Sequence, residues 1–376
     1  MKILYFQNIP VPYRVDFFNE LGKYVDLTVV FLAEVSSELN SNWFSKKANN
    51  FSSIFLKKGK INDKAINLKI LKYINKNEYD LIVISNYYIP TVMLAIEKLR
   101  LLGIPFVYSS DGAFVKLEEN QLIKMLKTHF ISSAEYWLST GRITDEQYLS
   151  YGARKERIFK YPFTSLKKED ILSKPIPLDE KIKCKKELNI NEDKVILTVG
   201  QFIYRKGIDV LLNSCMELPS SCGIYIVGGE PTEEFIKLRD NLKLKNVKFV
   251  DFKNKEDLSK YYKSADLFVL PTREDIWGLV INEAMAHGLP VITTDKCIAG
   301  LELVKNGENG YIVPSENCKT LAEKINSILF NDRLLKEMSE NSLLKIQSFN
   351  IENMAQVHLE IFSQLISRKM QLSDTV

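Results

Sequence analysis

Residues 199–212 read VGQFIYRKGIDVLL, and residues 271–295 read PTREDIWGLVINEAMAHGLPVITTD. Each stretch starts where a short apolar run ends, at Val199 and at Leu270, and passes through a turn into a helical pattern. Around them lie further runs of the same kind, Gly223–Val227, Val247–Val250 and Pro290–Thr293. The first half repeats the arrangement with Lys2–Phe6, Leu27–Leu32, Leu81–Ser85 and Pro105–Ser109. These runs are apolar at consecutive positions, as strands covered on both faces must be, and they alternate with helical segments. The expected fold class is therefore α/β, with parallel sheets built from βαβ units.

With 376 residues, 45% of them hydrophobic and 26% charged, the chain has the composition of two globular domains. The segment Pro162–Glu187 is rich in Lys, Asp, Glu and Pro. The expected division is residues 1–165, a linker at 166–187, and residues 188–350. Beyond Tyr311–Val313 the pattern is helical, over Lys319–Phe330, Arg333–Leu344 and Ile351–Ile366. The last helix, within 351–376, is expected to pack back on the first domain or on the second. A net charge of +4 is too small to drive nucleic-acid binding by counterion release. Five cysteines without a C-x-x-C pair read as reduced thiols of a cytoplasmic protein. The amino terminus lacks the form of a signal peptide, and no run is long enough for a membrane-spanning helix.

Several common chemistries lack their residues. The first βα turn holds Pro10, Pro12 and Tyr13 where a dinucleotide fold needs glycines. The segment GQFIYRKG, residues 200–207, does not end in the G-K-[ST] of a P-loop. His129, His287 and His358 are far apart, and neither H-E-x-x-H nor an acidic D-x-D pair occurs, so no metal site is expected. A nucleotide diphosphate would have to be neutralised by side chains and helix ends.

Arg205 and Lys206 meet that need. They follow a strand at the expected start of a helix, where two cations and free N–H groups act with the same sign on a diphosphate. The plain alternative is a solvated basic pair. Asp275, in the loop before the second helix, and Glu283, two turns into it, suit different hydroxyls of one ligand. Glu283 can accept from both hydroxyls of a ribose, or it is simply an exposed helical glutamate.

These two segments, with IVGGE at 226–230 and NGENGYIV at 306–313, resemble glycosyltransferase family 4. The likeness is weaker in the first half, in IPVPYRVDFFNEL, SSDGAF and STGRITDEQYLSYGA. It implies the GT-B fold, two Rossmann-like doubly wound parallel-sheet domains facing a cleft, and a retaining, metal-independent transfer from a nucleotide diphosphate sugar. By position, Arg205 and Lys206 would neutralise the donor diphosphate, and the backbone of Ile276, Trp277, Gly278 and Leu279 would cap its distal phosphate. Glu283 would bind the ribose and Asp275 the transferred sugar. Gly200, Gln201, Gly228 and Gly229 would lie close to the nucleotide. Two positions depart from the family pattern. Asp275 stands where a glutamate is usual, with Glu274 beside it, and Gln201 stands where many members carry arginine.

The resemblance also implies a UDP- or GDP-sugar as substrate, no cofactor, and a glycan acceptor, lipid-linked or of the envelope polysaccharide type. The donor diphosphate itself would take the acceptor proton, under electrostatic stabilisation by the cations. Asp111, in SSDGAF, is the candidate to orient acceptor or sugar, or it is an ordinary turn aspartate before glycine. Tyr13 and Arg14 are the next candidates on the acceptor side. His129, following Lys124 and Lys127, is read either as a cleft residue or as a helix-face histidine. The segment 121–130, QLIKMLKTHF, is amphipathic and basic, suited either to the inner face of a membrane or to its own sheet. Two rival readings stay open: a non-catalytic sugar-nucleotide-binding subunit, and another GT-B enzyme such as an epimerase or phosphorylase.

Overall fold

Seven short strands, rich in the β-branched and aromatic residues that suit a covered sheet, open the chain in a computed structural model that describes residues 1–35, 47–116 and 118–373. They are β1 (Lys2–Gln7), β2 (Asp26–Phe31), β3 (Ser52–Phe55), β4 (Leu81–Ser85), β5 (Val107–Ser109), β6 (Tyr136–Ser139) and β7 (Ile158–Lys160). They form one sheet in the order β3-β2-β1-β4-β5-β6-β7, and every pairing is parallel. Four helices connect them: α1 (Pro12–Leu21), α2 (Pro90–Leu101), α3 (Gln121–Ile131) and α4 (Arg142–Ser150). Proline at the first turn of α1 and α2 starts each helix where no N–H partner is required. The sequence reading found four of the seven strands. It missed β3, β6 and β7, which have only three or four residues each.

The second sheet holds β8 (Lys194–Val199), β9 (Cys222–Val227), β10 (Val247–Val250), β11 (Leu267–Leu270), β12 (Val291–Thr294) and β13 (Gly310–Val313). Its order is β10-β9-β8-β11-β12-β13, again all parallel. The associated helices are α5 (Leu178–Glu187), α6 (Ile208–Ser214), α7 (Glu233–Asn241), α8 (Lys255–Ser264), α9 (Leu279–Ala286), α10 (Ile298–Leu303), α11 (Cys318–Leu329) and α12 (Asp332–Ile346). A last helix, α13 (Ile351–Ser373), ends the described chain. Each sheet has its own buried core, with Phe6, Ile84, Ile96 and Trp137 in one and Ile196, Leu211, Ile224 and Ile325 in the other.

In both sheets the chain winds outward in one direction and then returns to the opposite side of the first strand. The switch points fall between β1 and β4 and between β8 and β11. Loops leaving the carboxyl ends of those strands are where open α/β sheets bind ligands.

The chain divides into residues 1–165 with 349–376, and residues 166–348. The helix expected within 351–376 is assigned to the first of these units, where His358 packs 4.6 Å from Phe17 and 4.5 Å from Tyr161, ring to ring. Residues 374–376 of that expected span lie outside the described residues. Residues 166–187, expected as a linker, instead belong to the second unit. Their charged composition hides the helix α5, which buries Cys184 and sends Lys181 to Asp266 at 2.5 Å. All five cysteines are free thiols.

Candidate functional site

In the second unit the loops after β8 and β11 close on one another. After β8 the chain runs through Gly200 and Gln201 into a single 3-10 turn, Tyr204–Lys206, and then Gly207 at φ 65°. Arg205 and Lys206 were expected at the start of a helix. They occupy this separate turn, and α6 begins only at Ile208. Gly207 cannot be replaced without strain, because its backbone is left-handed and a Cβ would strike the carbonyl oxygen of Pro271. That approach carries the turn to the end of β11. There the Arg205 carbonyl accepts from the Arg273 N–H and the Thr272 hydroxyl, both at 2.8 Å.

The rivet of this assembly is Arg273, which the sequence reading did not single out. Its guanidinium donates to both oxygens of Asp209 at 2.8 and 2.6 Å, to the Tyr204 carbonyl at 2.7 Å and to Glu316, and stacks 3.9 Å from the Tyr204 ring centroid. Asp209 and Glu316 push the guanidinium still further toward its charged form, and against the effect of burial Arg273 holds the Asp209 carboxyl below its ordinary range. Asp209 and Arg273 are 64 positions apart, so no local spacing could reveal the pair.

Arg205 and Lys206 converge on Asp275. Lys206 Nζ donates to Asp275 Oδ2 at 2.5 Å, Arg205 Nη1 lies 3.7 Å from Oδ1, and Arg205 also donates to the Glu274 carbonyl at 2.7 Å. The carboxylate that meets both cations is that of Asp275, while the Glu274 side chain is exposed. Three residues on, Gly278 stands at φ 97°, with space for its missing Cβ closed by Cys297 Sγ at 2.8 Å. Gly278 is the cap residue of α9 and supplies no side-chain cap of its own. The amino end of α9 therefore directs its partial positive charge and its leading N–H groups into the loop that carries Asp275. The Ile276 side chain is exposed. The Trp277 indole is buried and donates to Asn282 at 2.9 Å, so this ring packs rather than offering a stacking platform.

Glu283 lies on α9 and is neither exposed nor free. Tyr262 of α8 donates to its Oε2 at 2.9 Å, and the Tyr262 ring stacks at 4.9 Å on His287, whose Nε2 meets Ser259 Oγ at 2.8 Å. Burial pushes the Glu283 carboxyl up to about 7, although the Tyr262 hydroxyl works in the other direction. Burial likewise lowers His287 and raises Tyr262. The result is a carboxyl supported on one oxygen and poised to change charge near neutrality. Gly200 lies under the Lys206 side chain, Gln201 is exposed, and Gly228 and Gly229 follow β9, with Gly228 N–H donating to the Val250 carbonyl at 3.1 Å.

In the first unit the structure joins Tyr13, Arg14 and Asp111. Tyr13 Oη donates to Asp111 Oδ2 at 2.9 Å, and Arg14 Nη2 pairs with Oδ1. The Arg14 side chain is fully buried, with Phe163 5.3 Å from its guanidinium carbon, whereas 34% of the Asp111 side chain is exposed. Asp111 is therefore presented to solvent on a buried cationic support, at the carboxyl end of β5. His129 is not part of this group. It lies near the carboxyl end of α3, on the side of the sheet where the strands begin, and it contacts Glu97 and Arg100 of α2 at 2.6 Å. Among the described residues no group of three or more His, Cys, Asp or Glu side chains could hold a metal ion.

Residues 180–344 match the profile of the family described as glycosyl transferases group 1. An uncharacterized glycosyltransferase of Haemophilus influenzae is 33% identical over 167 residues, which is 43% of this chain and 46% of that protein. The capsular polysaccharide biosynthesis glycosyltransferase CapM of Staphylococcus aureus is 31% identical over 163 residues, 42% of this chain and 43% of CapM. These alignments span less than half of either relative. Over nearly the whole chain, the UDP complex of Anabaena Alr3699/HepE superposes with a TM-score of 0.78 at 18% identity, covering 97% of this chain and 100% of that one.

The fold is GT-B. Within it, the group 1 match falls on the second unit and includes every residue of the Arg205, Lys206, Asp275 and Glu283 group. The GT-B switch point between β8 and β11 is also where Arg273 ties the two loops together.

Proposed function

We propose that this protein is a retaining glycosyltransferase of the family 4 type. It moves a sugar from a UDP- or GDP-sugar to a hydroxyl of a glycan acceptor, without a metal ion. The observation that carries the reading is the convergence of Arg205 and Lys206 on the loop that leads through Gly278 into the amino end of α9. Two cations and a helix end of the same sign, at the switch point of an open sheet, suit a diphosphate.

In this mechanism Arg205 and Lys206 stabilise the charge that builds on the leaving diphosphate as the anomeric C–O bond breaks. The acceptor oxygen bonds to the anomeric carbon on the same face, and its proton passes to the departing phosphate. Glu283, already oriented by Tyr262, accepts from the ribose hydroxyls. Asp111, fixed by Tyr13 and Arg14, accepts from an acceptor hydroxyl. Gln201, exposed beside Gly200, adds a neutral donor where a further cation would bind phosphate more strongly. Asp275 holds hydroxyls of the transferred sugar once the cations engage phosphate.

The acceptor is a lipid-linked or envelope glycan reached from the cytoplasmic face of a membrane. The capsular role in the name of CapM supports a polysaccharide product. The outer face of α3 supports the location, since Leu122, Ile123, Met125 and Leu126 are exposed beside Lys124, and among this helix's residues only Phe130 and Ile131 are buried. No helix among the described residues is long and apolar enough to cross a membrane, so contact would be peripheral.

Titration calorimetry without metal, against UDP, GDP, ADP and their sugar conjugates, tests the reading. One nucleotide series should bind the native protein, and Glu283→Ala should weaken it. Absence of binding to every one of them by the folded protein would overturn the proposal.

A further inference from the structure

The two cations proposed to hold the diphosphate are already held by a carboxylate. Lys206 Nζ is 2.5 Å from Asp275 Oδ2 and Arg205 is 3.7 Å from Oδ1, and the Lys206 and Asp275 side chains are only 14% and 13% exposed. The backbone of Asp275 is tied on both sides, its N–H donating to the Lys296 carbonyl at 2.8 Å and its carbonyl accepting from Ile298 at 3.2 Å. The carboxylate therefore has side-chain freedom alone and stays beside the cations. A largely dehydrated ammonium gains most from one close anion, and a second brought next to the first repels it.

We infer that Asp275 is an internal competitor of the donor diphosphate. It holds Lys206 while the site is empty, yields that ammonium to the phosphate oxygens when donor binds, and recaptures it as the nucleoside diphosphate leaves. Asp275 thereby weakens the hold on product and assists its release, a step that often limits such enzymes. This inference rests on the transferase reading of the same site. Glu274 supplies the internal comparison, because it has the same charge one residue away but an exposed side chain directed to none of the cations.

The test is calorimetric titration of UDP and of GDP into the full chain, comparing native protein with Asp275→Asn and Glu274→Gln. Removing the like charge at Asp275 is expected to tighten nucleoside diphosphate binding roughly tenfold. Glu274→Gln should leave it within about twofold, since an exposed charge is screened. Thermal melting provides a second measurement. Without ligand Asp275→Asn should melt below the native protein, because Lys206 has lost its counter-charge, and saturating nucleotide should raise its melting temperature by more than it raises the native one. The variant Asp275→Ala serves if the asparagine form does not fold. Native binding combined with equal or weaker binding by the Asp275 variants overturns the competition and leaves the transferase reading intact. Failure of all three proteins to bind either nucleotide overturns both.

Discussion

The unusual position of the Glu283 carboxyl makes a prediction for the ligand-free protein that can be worked through. A carboxyl that titrates at 4.5 in the unfolded chain and at about 7 when folded keeps its proton longer in the folded state. Below pH 4.5 both states are protonated and the group contributes nothing. Between 4.5 and 7 only the unfolded chain releases the proton, so stability falls as pH rises, and the penalty is complete above 7. Each tenfold change in proton affinity is worth 1.36 kcal/mol, giving about 3 kcal/mol at most. The side chain keeps some contact with water, which reduces the expected figure to about 2 kcal/mol.

Glu283→Gln retains the acceptor for Tyr262 and removes the charge. It should therefore stabilise the protein at pH 8 by about 2 kcal/mol, a rise in melting temperature of roughly 4–8 °C for a unit of this size. At pH 5 it should change little. Differential scanning calorimetry of both proteins from pH 5 to pH 8 reads this directly. A constant difference between the two melting curves across that range would refute the reasoning, as would a gain at pH 5 that disappears at pH 8.

Further outcomes concern other parts of the molecule. Arg273→Ala should destabilise the second unit by about 2–4 kcal/mol, because it leaves Asp209 and the Tyr204 carbonyl without their partner; urea unfolding measures this, and calorimetry should show weaker nucleotide binding as the Tyr204–Lys206 turn loosens. In the first unit, Asp111→Ala should cost about 3–5 kcal/mol by stranding the buried Arg14 charge, whose Nε and Nη1 already lack hydrogen-bond partners. Arg14→Met should cost less, since the partly exposed Asp111 can hydrate, and the same denaturant series ranks the two. Sugar transfer, once a donor is identified, should survive excess EDTA, with a loss of more than tenfold showing that a metal takes part.

The limits of the sequence follow from where each interaction is encoded. The covered strands β1, β4, β8 and β11 were legible because they carry their apolar residues consecutively. The strands β3, β6 and β7 were not, because SSIF, YWLS and IFK start or end on polar residues and leave no run of apolar residues long enough to stand out. The helix α5 was hidden in the same way. Its lysines and glutamates resemble a solvated tether, and only the burial of Cys184 and the pair between Lys181 and Asp266 show that it packs. His129 looked like a candidate because it is a histidine on a basic helix. The direction of α3 decides that it lies on the side where the strands begin, away from Asp111.

The sequence by itself determined the parallel α/β class and the two strand-turn-helix segments, and it singled out Arg205, Lys206, Asp275 and Glu283 as the candidates within them. All of these are local patterns, written within one strand and the turn that follows it. Only the tertiary structure decided how that set is charged and held. Arg273 reaches Asp209 across 64 positions, Asp275 neutralises Lys206 across 69, and Tyr262 supports Glu283 from a neighbouring helix. Such pairings depend on which strand lies beside which, and burial sets the carboxyl of Glu283 near neutrality only after those strands have assembled.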